Sequence, residues 1–143
     1  MAILIDGYNL MHAAGLMKTR FGPGGLEKAR RALIGILAGS LGKQAAHTTI
    51  VFDSRVNPEP SSRSDAAAPP THGIRVEFAA GEEDADARIE KLIRIDSAPK
   101  QLTVVSSDHR IQLAARHRGA VSQDNEAFWD KHIHPKSLAY AEL

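Results

Sequence analysis

A chain of 143 residues has room for one domain with a sizeable core but not for two comfortable ones. Hydrophobic residues make up 43% and charged residues 24%, which sets disordered and membrane classes aside, and no apolar run approaches the about 20 residues of a membrane span. The net charge of +1 argues against a highly basic nucleic-acid coat, and with no cysteine there is no disulfide framework, thiolate nucleophile or cysteine-bound zinc, so a cytoplasmic protein is expected.

In chain order, Ala2-Ile3-Leu4-Ile5 is an aliphatic run cut off by Asp6-Gly7, which reads as a buried strand leaving the sheet at a carboxylate. Asn9 caps a short helix that is expected to reach Met17, and the glycines and proline of 21–25 form a loop. Leu26, Ala29, Leu33, Leu37 and Leu41 recur at three- and four-residue spacing, predicting an amphipathic helix that stops between Gly39 and Gly42. His47 to Asp53 is the second strand, β-branched and aromatic, and it again ends in an aspartate.

Residues 54–72, rich in proline, serine and alanine, form a long surface loop. Ile74 to Phe78 alternates in character and predicts a third strand nearer an edge. A helix starting in the acidic stretch 82–86 runs to Ile93, its first turn suited to the helix dipole. Leu102 to Ser106 is a fourth strand, Ser107-Asp108 opens a helix to Arg118, Gly119 to Ser122 is a short fifth strand, and Glu126 to His132 closes the chain as a short helix. Strands alternating with helices imply right-handed βαβ units, a parallel sheet and a three-layer α/β/α domain spanning 1–143.

Asp6, Asp53, the 82–86 cluster and Asp108 each fall just past a different strand, and in a parallel sheet those strand ends share one edge. Asp86 stands three and seven residues before Ile89 and Ile93, continuing the stripe that faces the sheet, with Glu83 one turn earlier on the same side. A charge on a buried stripe calls for a partner or a metal. Clustered carboxylates repel unless a cation neutralises them, and an all-oxygen donor set suits Mg²⁺ or Mn²⁺ and phosphodiester hydrolysis. Singly, the bland roles dominate: Asp6 and Asp108 as helix caps, Asp53 as a turn residue, Glu82 and Asp84 as dipole-stabilising surface charges. Their joint placement is what chance does not explain. Ser106 and Ser107 lack the surroundings of a hydrolase nucleophile, and His132-Ile133-His134 lacks the spacing of a helical zinc pair.

Ile5-Asp6-Gly7-Tyr8-Asn9, Val51-Phe52-Asp53, Glu83-Asp84-Ala85-Asp86-Ala87-Arg88-Ile89 and Ser106-Ser107-Asp108, in this order across residues 2–130, resemble an NYN domain of the bacterial YacP-like branch, within the PIN-like nucleases. The resemblance implies a sheet of about five strands ordered 3-2-1-4-5, a divalent-metal site and endoribonuclease activity on RNA. It implies metal-binding roles for Asp6, Asp86 and Asp108, with Asn9, Asp53 and Glu83 in support. It also suggests RNA decay on or near the ribosome. Arg55, Arg63, Arg110 and Arg118 are the candidates for contact with a single-stranded RNA backbone. Two departures from the family pattern bear on substrate choice: the 54–72 loop is less basic than a substrate-gripping loop, and the closing helix is short.

The rival readings are a non-catalytic RNA-binding or interaction module on the same fold, a phosphoesterase acting on DNA or nucleotides, and a phospho-accepting receiver domain. The full acidic set argues against the first. The receiver needs an acidic pair after the first strand and a lysine after the fifth, whereas Asp6 stands alone and Gly119 to Gln123 brings no lysine.

Overall fold

The structure is a computed structural model that describes residues 1–16, 25–53, 72–79 and 84–133. Five strands form one sheet, β1 (Ala2–Asp6), β2 (Thr48–Asp53), β3 (Arg75–Ala79), β4 (Leu102–Val105) and β5 (Val121–Gln123), in the order β3-β2-β1-β4-β5. Every pairing is parallel. The helices are α1 (Gly7–Ala13), α2 (Gly25–Leu41), α3 (Ala85–Ile95), α4 (His109–His117) and α5 (Asn125–His132). The expected α/β fold and strand order are therefore observed, with β3 at one edge as its alternation predicts.

Central position explains the character of β1. It pairs with β2 on one side and β4 on the other, Ile5 lying opposite Ile50 and Val105, so both faces are covered and the run is aliphatic throughout. Its side chains divide between two cores. Ile3 and Ile5 join Ile50, Phe52 and Val105 beneath α1, α2 and α5, with Leu10, Leu33, Leu37 and Phe128 from those helices. Leu4 joins Val51 and Val104 beneath α3 and α4, with Ile89, Ile93, Ile111 and Ala115. Each fully covered aliphatic side chain contributes about 1.5–3 kcal/mol.

Element ends moved for identifiable reasons. The first helix starts at Gly7, immediately after the strand, so Asp6 and not Asn9 takes its cap position, and it ends at Ala13 rather than reaching Met17, with Gly15 at φ 78° just beyond its end. Gly42–His47 is a 3-10 turn, so β2 begins at Thr48. α3 starts within the acidic stretch, at Ala85, with Asp86 in its first turn, and runs on to Ile95; Asp84 is its cap, the carboxylate accepting the Ala87 N–H at 2.7 Å. Gly119, at φ 81°, closes α4, and β5 starts two residues later than expected.

Candidate functional site

Alternation along the strands carries Asp6, Asp53 and Ser106 to one side of the sheet. Leu4, Val51 and Val104 face the α3–α4 core, so the residues two positions further on emerge on that same side at the carboxyl edge. α3 and α4 start at this edge, which brings Asp84, Asp86 and Asp108 to it. Asp108 takes the cap position of α4, its Oδ1 accepting the N–H groups of Arg110 and Ile111 at 2.8 and 3.3 Å.

Asp6 occupies the cap position of α1. It is 5% exposed, and its Oδ2 accepts from the Asn9 side-chain amide and from the Ser106 hydroxyl, the latter at 3.2 Å. The Ser106 hydroxyl oxygen in turn accepts the Asp108 N–H at 3.1 Å, linking the β1 and β4 carboxylates through one fully buried serine. Gln112 holds that corner by donating its side-chain amide to the Ser106 carbonyl at 2.9 Å.

Burial pushes the Asp6 carboxyl up to about 6; the bonds from Asn9 and Ser106 draw it down, and the charge of Asp86 raises it further. Asp86 is half-buried in the first turn of α3 and is also raised, first by its own burial and then by the charges of Asp108 and Asp84, against the pull of Arg110. The carboxylates raise one another, and Arg110 pulls Asp86 the other way. Among the described residues, no three acidic or histidine side chains stand together in a group already able to hold a metal ion. The donor chemistry, oxygen only and short of positive charge, suits a hard divalent cation.

The remaining expected residues divide clearly. Asp53 ends β2 opposite Ala79, one strand over from Asp6. Arg110 starts α4 at this edge and pairs with Glu90 through two bonds of 2.8 and 2.7 Å. Arg118 stands at the far end of α4, where it donates to the carbonyls of Ile93 and Asp96 at 3.4 and 2.8 Å, so it closes α3 rather than flanking the carboxylates. Glu83, Arg55 and Arg63 lie outside the described residues.

Two residues at the edge escaped the sequence reading. Asp124 follows β5 as Asp6 follows β1; it caps α5 through the Glu126 N–H at 2.9 Å and accepts the Ser107 hydroxyl at 3.2 Å. The strand-end rule would have found it had β5 been placed two residues later. Arg30 is 4% exposed: it donates to the Tyr8 hydroxyl at 3.1 Å and lies over the rings of Phe52 and Phe78 at 5.8 and 5.2 Å. The signal was its place three and four residues before Leu33 and Ile34, within the apolar stripe.

Comparison with known proteins agrees with this geometry. The crystal structure of Rae1 (YacP) from Bacillus subtilis is 24% identical to this chain, covering 99% of it and 76% of the other chain, with a TM-score of 0.71. A W164L mutant of the same protein gives 26% identity, 99% and 78% coverage and a TM-score of 0.67. No curated protein matches. The sequence pattern of the YacP-like NYN domain matches residues 3–136, and the chain belongs to that family, within the PIN-like nucleases.

Proposed function

We propose that this protein is a divalent-metal-dependent endoribonuclease that hydrolyses phosphodiester bonds in single-stranded RNA, using Mg²⁺ or Mn²⁺. The observation that carries the reading is Asp6, a buried carboxylate held by two neutral donors and opposed by Asp86 at the carboxyl edge of a family-typical sheet. Asp6, Asp86 and Asp108 would hold the ion. Such an ion, when bound, supplies positive charge to the scissile phosphate and acidifies water for attack.

The chain's own residues do the positioning. Asn9 and Ser106 fix the rotamer of Asp6, so one carboxylate oxygen is oriented before any ligand arrives. Ser106 also ties the Asp108 backbone to Asp6, so the two acids keep their spacing when either is pulled. Asp84 and Asp108 cap their helices, which keeps both helix starts at the edge. Asp53 and Glu83 are supporting acids in this reading, and a ribosomal setting follows from the resemblance to the YacP-like branch.

The test is cleavage of a dye-labelled single-stranded RNA in Mn²⁺, Mg²⁺ or EDTA, with wild type beside Asp86→Asn. Internal cuts that need metal and vanish in the variant support the reading. RNA that is bound but never cut, with purified ribosomes present or absent, would favour a binding module. Cleavage of DNA or nucleotides instead would keep the chemistry and change the substrate.

A further inference from the structure

On the outer surface, α3 and α4 leave a groove of about 550 Å³ between them. Leu113, 63% exposed, and Ala114 form its apolar floor with Ile93 beneath. Arg94, His117 and Arg118 rim it toward the far end, and Arg110 closes the end nearer Asp86.

We propose that this groove docks a protein segment carrying an apolar anchor flanked by Asp or Glu. A large aliphatic side chain left mostly in water on a concave, largely apolar surface is the kind of patch that marks an interaction site. Its charge selects the occupant. Among the described residues, Arg118 bonds only carbonyl groups and Arg94 has no ion-pair partner, so no carboxylate there neutralises either charge. Glu90, the acid in the lining, is already taken by Arg110. Carboxylates of a docked segment would meet Arg94 and Arg118 while its apolar side chain covers Leu113, the arrangement of an amphipathic helix in a groove. A nucleic-acid strand fits less well, because the floor of Ile93, Leu113 and Ala114 is aliphatic and the His117 ring of the lining stands on the rim, so no ring lies where a base would stack. The inference is independent of the nuclease reading, since none of its contacts uses Asp6, Asp86 or Asp108.

The experiment follows backbone amide shifts by two-dimensional NMR on the full chain as a short helical peptide of leucine and glutamate is added. A leucine–lysine peptide and a single-stranded RNA of similar length are added to separate samples. Expected are shifts confined to Glu90–Ile95 and Arg110–Arg118 with the acidic peptide, and affinity weakened about tenfold by Leu113→Glu and by Arg94→Glu. Both positions are exposed, so the variants are expected to keep the wild-type circular dichroism and RNA cleavage. Absence of binding, equal binding of the lysine peptide, shifts elsewhere, or RNA moving the amides of Arg94, Leu113 and Arg118 would each overturn the proposal.

Discussion

Two buried charges flank the sheet near the end of β1, and they are treated oppositely. On the α2 side, Arg30 lies over Phe52 and Phe78 and donates to Tyr8, while Tyr8 packs its ring edge-on against Phe52 at 5.1 Å. Rings and a hydroxyl accept positive charge, so that guanidinium is accommodated by its surroundings. On the α3–α4 side, Asp6 has two neutral donors and a second acid acting against it. The neighbours of Arg30 offer its guanidinium two ring faces and a hydroxyl, whereas burial and Asp86 penalise the charge of Asp6. A buried charge completed by its own fold reads as architecture; one left short reads as a place for a ligand.

The largest effect that sharpens this contrast comes from Asp6→Asn. RNA cleavage in Mn²⁺ is expected to fall on the order of 100-fold or more, while the metal-free protein gains stability as the penalised charge goes. A variant that loses stability instead would place Asp6 with Arg30, among the architectural charges. Next is Arg30→Ala, expected to cost about 3 kcal/mol in urea unfolding through lost packing and the lost bond to the Tyr8 hydroxyl, with the metal requirement for cleavage unchanged. A changed metal requirement would break the comparison from the other side.

Gly7→Ala is expected to cost about 1–3 kcal/mol, because the strand-to-helix corner leaves no room for a side chain. An added Cβ would lie 2.5 Å from a Phe52 ring carbon and 2.9 Å from the Val51 carbonyl oxygen. Thermal melts would show it, and an unchanged melting temperature would mean the corner opens easily. The smallest effect is on pH. The folded Asp6 carboxyl, raised to about 6, holds its proton where the unfolded chain has released it. Stability from this group is therefore present at low pH and lost as pH rises through about 6, a difference of about 1 kcal/mol between about pH 5 and pH 7.5 in EDTA. Asp6→Asn should remove that slope, as should saturating Mn²⁺; a slope that persists in the variant would point to other groups.

The sheet was legible because periodicity and strand-end chemistry agree. Aliphatic runs as dense as Ile3–Ile5 and Val104–Val105 suit strands covered on both faces, and Asp6 at the end of the one and Asp108 three residues past the other mark the exit edge. Helix starts were less legible, since an acidic stretch before a helix reads the same whether it lies inside the first turn or, like Asp84, at the cap. Ser106 could not be read at all as a link: its partners Asp6 and Asp108 are chosen by register across β1 and β4, which no local spacing encodes. Arg118 misled for the opposite reason, because a basic residue near a helix end is equally a phosphate contact or a carbonyl cap, and here the carbonyls of α3 took it.

The central place of β1 also sets an order of events in time. The bond that Asp6 receives from Ser106 spans 100 positions of sequence. The first strand must wait for the fourth before its second edge is covered, and closing contacts of that separation slows folding. A growing chain thus makes Asp6 well before it can complete the surroundings of that carboxylate, which need β4 to have been synthesised. Competence of this edge is tied to the finished fold.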